Sequence, residues 1–127
     1  MELWKKFNEI GFTFSQQAPR VLFIENNRPV AEADFFLQND ECAIVVEVEP
    51  DLNINDVDFH IERMEIIRKH RDARGDRRKL LGAVAGGIVP ENVLKYAQGK
   101  GLFVIMQNGD AVSIAEAPQG FKAREWA

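Results

Sequence analysis

Two runs in this chain read as β-strands with a carboxylate at every second position: Ala31-Glu32-Ala33-Asp34-Phe35-Phe36-Leu37 and Ala43-Ile44-Val45-Val46-Glu47-Val48-Glu49. Successive side chains of a strand point to opposite faces, so Glu32 and Asp34 share one face and Glu47 and Glu49 share another. The connection Gln38-Asn39-Asp40-Glu41 is short and polar, as in a hairpin. Antiparallel pairing then brings three or four acids to one end of a largely apolar sheet. Burying carboxylates beside Ile44, Val46 and Val48 is costly unless a cation or a donor compensates them. A divalent metal is the usual reason for such an arrangement, which makes these acids the candidate site.

The chain's 127 residues suit one domain spanning 1–127, large enough to bury a core without staples. Its 46% hydrophobic and 28% charged residues are those of an ordinary globular protein. No apolar run approaches a membrane span and no signal-peptide pattern precedes Leu3-Trp4-Lys5-Lys6, so no membrane partner is expected. The single cysteine, Cys42, opens a hydrophobic run, where a buried inert thiol is expected and a reducing, cytoplasmic setting follows. The two histidines lack zinc-site spacing and have no cysteine pair to join.

The net charge of −4 hides an asymmetry. Residues 25–58 hold ten acids and one base, Arg28. Residues 63–79 hold eight bases (Arg63, Arg68, Lys69, Arg71, Arg74, Arg77, Arg78, Lys79) against Glu65, Asp72 and Asp76. Such a run either forms a basic face for a polyanion or is a solvated helix face with (i, i+4) pairs such as Glu65 with Lys69.

Periodicity and turn signals set the element order. Leu3 to Ile10, stopped by Gly11, reads as a short helix, followed by strands at Arg20–Glu25, Val30–Leu37 and Cys42–Glu49. Pro50 is expected to end the third strand, whose apolar residues on both faces mark it as central. A long helix capped by Asn55 or Asp56 runs to about Arg74, with Val57, Ile61, Met64 and Ile67 as its buried stripe and His60 within it. Leu80–Val89 is a buried strand whose glycines suggest a closely packed helix; a second helix opens at Pro90. Leu102–Gln107 and Ala111–Ala115 form a hairpin about Asn108-Gly109, and Phe121 and Trp126 anchor an irregular tail. The order predicts a mixed α/β sheet with helices on both faces. Gly82-Ala83-Val84-Ala85-Gly86-Gly87 lacks the Gly-Lys-Ser/Thr ending of a phosphate loop. Trp4, Phe7, Phe12 and Phe14 read as core packing or a dimer surface, not as base-stacking residues.

Asp34, a gap of twelve residues and Glu47-Val48-Glu49 ending an apolar strand resemble the PD-(D/E)XK nuclease superfamily. The segments Asp56-Val57-Asp58-Phe59-His60-Ile61-Glu62-Arg63, Gly75-Asp76-Arg77-Arg78-Lys79-Leu80, Gly82-Ala83-Val84-Ala85-Gly86 and Phe121-Lys122-Ala123-Arg124-Glu125-Trp126 look like an uncharacterised bacterial branch of it. The resemblance implies a restriction-endonuclease-like three-layer fold and hydrolysis of nucleic-acid phosphodiesters with Mg²⁺ or Mn²⁺, DNA ahead of RNA. Asp34 and Glu47 would bind the metal, with the Val48 carbonyl sharing it and Glu9 of the first helix completing the site. Carboxylates suit these hard ions, which acidify a bound water and neutralise phosphate charge.

The departure is at Glu49, where the family pattern has lysine. Glu49 would then act as a base or further ligand, with a lysine arriving from elsewhere, Lys79 or Lys69, as another way to restore the charge. His60 is either a proton shuttle or phosphate contact, or a core histidine bonded to a carboxylate or carbonyl. Arg63 either neutralises Glu49, meets a phosphate or forms a surface ion pair, and Arg63, Arg74, Arg77, Arg78 and Lys79 are the candidate nucleic-acid contacts. Members of this superfamily commonly dimerise, so a homodimer is compatible. The competing expectation is a catalytically inactive binding or assembly module, marked by an Arg or Lys standing in the metal position.

Overall fold

The computed structural model describes residues 1–127. The chain runs α1 (Leu3–Asn8), β1 (Gln16–Glu25), β2 (Arg28–Gln38), β3 (Cys42–Asp51), α2 (Ile54–Ala73), β4 (Lys79–Ile88), α3 (Glu91–Gly99), β5 (Phe103–Asn108) and β6 (Ala111–Ile114). The expected order of elements is therefore observed, and the differences lie at their ends. β1 starts earlier than expected because Gln16 to Pro19 pair with Gln38 to Phe35 of β2. The helix α2 is capped by Asn53, not by Asn55 or Asp56. Asn53 Oδ1 accepts from the Asp56 N–H at 2.9 Å, and the Asp56 carboxylate accepts from the Asn53 N–H at 3.0 Å. This reciprocal box satisfies two donors that the first turn leaves orphaned.

Pro50 does not end β3, which continues until Asp51 pairs with Ile88 of β4. Along β3 the Val48 N–H points toward β2, and by the period of two the Pro50 nitrogen points the same way. Pairing between β2 and β3 has already stopped at Phe35 with Val46. A residue without an N–H therefore loses no ladder bond there.

The six strands lie in sequence order across one sheet. β1, β2 and β3 form an antiparallel meander; β3, β4 and β5 are parallel; β5 and β6 close as an antiparallel hairpin. Two crossovers of one hand, stepping in one direction, place α2 and α3 on the same face. There Val57, Met64, Ile67, Val93 and Ala97 pack with Val45, Val84 and Val104. On the opposite face Leu3 and Phe7 of α1 pack with Leu37, Ile44, Val46, Ala83 and Ile105. β3 is thus covered on both sides, as its apolar sequence requires.

Gly82 shows how closely Leu102 and α2 pack on the sheet. A Cβ there would lie 2.7 Å from Leu102 Cδ2 and 3.4 Å from Met64 Sδ. The tail is anchored as expected: Phe121 packs on Phe103, and Trp126 is buried and bridges to Leu80. Phe7 is fully buried, with Phe12 and Phe14 packed beside it, whereas Trp4 faces outward. No helix is long and apolar enough to cross a membrane.

Candidate functional site

The pairing of β2 with β3 ends where the candidate acids begin. Ala31, Ala33 and Phe36 pack on the α2 side of the sheet, whereas Phe35 and Leu37 pack on the α1 side. The alternation of β2 therefore slips by one residue at Asp34–Phe35, alongside Arg20, a non-glycine residue at φ 48. Asp34 turns toward β3, and its Oδ2 accepts the Val48 N–H at 2.7 Å. A carboxylate thus replaces the missing ladder partner. The N–H and C=O of one strand residue face the same edge, so the Val48 carbonyl is directed to the Asp34 side as well. The slip also corrects one expectation: Glu32 does not join the other acids but pairs with Arg20 at 3.2 Å.

Glu47 and Glu49 follow Ala43 and Val45 in period, which puts them on the α2 side. Arg63 of α2 reaches over and donates from Nη1 to the Glu47 carboxylate. The same Nη1 lies 3.3 Å from His60 Nδ1, one helical turn earlier. His60 Nε2 is 3.1 Å from the Val45 carbonyl, an acceptor only, so Nε2 carries the ring proton and Nδ1 is left to accept from Arg63. The chain of contacts is Val45 carbonyl, His60, Arg63, Glu47.

His60 is fully buried, and that burial, with Arg63 adding to it, lowers its pKa to about 4. A proton shuttle needs a ring that titrates near neutral pH and reaches the reacting atoms. His60 stays neutral and holds Arg63, which is the role of a core histidine bonded to a carbonyl. Glu47 shows the opposite displacement. Burial raises its pKa, to about 7, and Asp34 and Glu49 add to this against the opposing pull of Arg63.

The sign of the resulting pH dependence is the reverse of an ordinary salt-bridged acid. A carboxyl whose folded pKa is raised contributes stability that is complete below its usual value of 4.5 and is lost as pH climbs through about 7. Glu47→Gln removes that loss. Between pH 4.5 and pH 7.5 the variant should gain stability relative to the wild type by about 1–2 kcal/mol, allowing for screening at the partly open mouth. Urea unfolding at the two pH values measures the difference, and identical slopes would show that Glu47 ionises without penalty.

The remaining candidates are placed elsewhere. Glu9 follows α1, pairs with Lys6 at 3.7 Å and borders a cavity with Asp110 and Val112 of the β6 hairpin, on the other face of the sheet. It does not complete the acid cluster. Lys79 pairs with Cys42 at the opposite end of β3 from Glu47 and meets Glu125 at 3.5 Å. Lys69 is exposed further along α2. Neither reaches the acids; the cation that does is Arg63, and it meets Glu47 and not Glu49.

Arg74, Arg77 and Arg78 also lie far from the acids, since about 1.5 Å per residue puts Arg74 roughly 16 Å along α2 from Arg63. Arg74 is taken up by the Ile24 and His70 carbonyls, and Arg78 by Gln38. The basic run is therefore not one phosphate-binding face beside the acids. Arg77 alone of that group extends from the α2–β4 connection without an ion pair.

In this arrangement no three His, Cys, Asp or Glu side chains stand together as a ready-made metal site, since Asp34 is turned to the Val48 N–H and Glu47 to Arg63. The donor set nevertheless suits a hard divalent ion in kind, being three carboxylates with the Val48 carbonyl at their edge. Of these three carboxylates only Glu47 has an ion-pair partner, the Arg63 guanidinium. The chain matches no protein-family model, no curated protein and no solved structure among those compared.

Proposed function

We propose that this is a restriction-endonuclease-like domain of the PD-(D/E)XK kind that hydrolyses nucleic-acid phosphodiesters, DNA ahead of RNA, with Mg²⁺ or Mn²⁺ at the end of β3. The observation that carries the reading is the under-compensated acid trio. Asp34, Glu47 and Glu49 lie where the pairing of β2 with β3 ends, the single ion pair among them is that of Arg63 with Glu47, and Glu47 remains hard to ionise in spite of it. Strongly perturbed carboxylates with a named cause concentrate at sites of chemistry.

Asp34, Glu47 and the Val48 carbonyl would hold the ion, whose chemistry is to acidify a bound water and offset phosphate charge. Glu49 takes one proton from the attacking water. The water oxygen bonds to phosphorus as the bond from phosphorus to the leaving oxygen breaks, and that oxygen takes a proton from solvent. The products are a phosphomonoester and a free hydroxyl. His60 moves no proton; it keeps Arg63 at the mouth.

The guanidinium on Glu47 favours a second reading, a catalytically inactive binding or assembly module. Labelled single- and double-stranded DNA and RNA, with Mg²⁺ or Mn²⁺, separate the two when Asp34→Ala is assayed beside the wild type. Metal-dependent cleavage that falls at least about 100-fold in the variant is expected. No cleavage with either metal, or cleavage untouched by the substitution, would favour the binding module.

A further inference from the structure

Resting on the reading just given, we propose that Arg63 is a phosphate ligand with two positions. It holds Glu47 in the free protein and turns to a substrate phosphate when a divalent cation takes Glu47.

Three features argue for this. The contacts of Arg63 both run through Nη1, to Glu47 and to His60 Nδ1, so Nε and Nη2 keep their donors for another partner. A guanidinium presents five N–H donors in a fixed fork that matches two oxygens of a phosphate. The Arg63 side chain is 26% exposed against 14% for Glu47, so a ligand from solvent can reach the arginine more readily than the carboxylate it holds. Finally, β3 supplies no cation of its own beside Glu47, since the next residue on that face is an acid, Glu49.

His60 is a positioning residue here. Its proton is committed to the Val45 carbonyl, so its remaining nitrogen can only accept. Arg63 can therefore leave Glu47 without leaving the site, because the His60 contact does not depend on the carboxylate. A divalent ion on Glu47 would repel the guanidinium and turn it outward, which couples phosphate capture to metal loading.

The test uses Mn²⁺ alone by titration calorimetry, and a labelled phosphorothioate oligonucleotide in Mn²⁺ by fluorescence anisotropy, on wild type, Arg63→Gln and Arg63→Lys. Thermal melts establish that each variant is folded. Arg63→Gln should bind Mn²⁺ roughly tenfold tighter, because a competing charge is gone, and the oligonucleotide about tenfold more weakly. Arg63→Lys should return Mn²⁺ affinity to the wild-type range but recover the oligonucleotide only in part, since an ammonium lacks the fork. If wild type binds Mn²⁺ and Arg63→Gln binds it no tighter, or holds the oligonucleotide equally well, this inference fails while the metal reading stands. Wild type that takes up no Mn²⁺ overturns the metal reading and this inference with it.

Discussion

Arg68→Ala should destabilise the fold by about 3–5 kcal/mol, because it leaves three backbone carbonyls of a polar junction without their donor. Arg68 is only 5% exposed, although it lies in a basic run that reads as a solvated face. Its Nη1 donates to the Arg78 carbonyl at 2.8 Å and the Trp126 carbonyl at 3.3 Å, its Nη2 to the Asp76 carbonyl at 2.6 Å, and its Nε to Asp72 at 3.0 Å. One side chain therefore ties α2 to the α2–β4 connection and to the C-terminal tail. Alanine would leave three carbonyls without their donor, each with its own desolvation cost. The Asp72 side chain is 58% exposed, so Asp72→Ala should cost under about 1 kcal/mol. Urea unfolding of both variants gives the comparison; equal small losses would mean that water replaces Arg68 at the junction.

Phe7→Ala should cost a similar amount, about 3–5 kcal/mol. Its ring meets three others edge-on, Phe103 at 5.5 Å, Phe14 at 5.9 Å and Phe12 at 6.0 Å between centroids. A helix of six residues such as α1 has no stability of its own. Its attachment to the sheet rests on Leu3 and Phe7, both fully buried. Truncating Phe7 should release α1, seen as accelerated amide exchange over residues 3–8, together with the loss in a urea melt. Trp4, 42% exposed on the same helix, should tolerate alanine within about 0.5 kcal/mol. A Phe7→Ala cost below about 1 kcal/mol would show that α1 is held by its backbone contacts instead.

What the sequence discloses about this chain is set by how local each signal is. β3 is legible because an apolar run on both faces has one physical solution, a covered central strand. The neighbourhood of Asp34, Glu47 and Glu49 follows from a short polar connection and a period of two. Glu32 is misplaced by the same rule, because the alternation slips at Asp34–Phe35 beside the positive φ of Arg20. Arg20 is neither glycine nor asparagine, so nothing in its type announces that geometry. The partner of Arg63 depends on how far along β3 the helix α2 docks, a tertiary quantity fixed by contacts such as Met64 against Gly82. The basic run misleads for a related reason. Adjacent charges look like a patch, yet the helix distributes them around its circumference and carries most of them to the far end of the domain.

Manganese binding to the wild type and to Glu47→Gln, followed by electron paramagnetic resonance, tests most directly whether the acids at the end of β3 form a cation site. One site per chain is predicted, weakened at least about tenfold in Glu47→Gln, since a carboxylate ligand is exchanged for a neutral amide. Wild-type protein with no site, or a site filled equally in the variant, would contradict it.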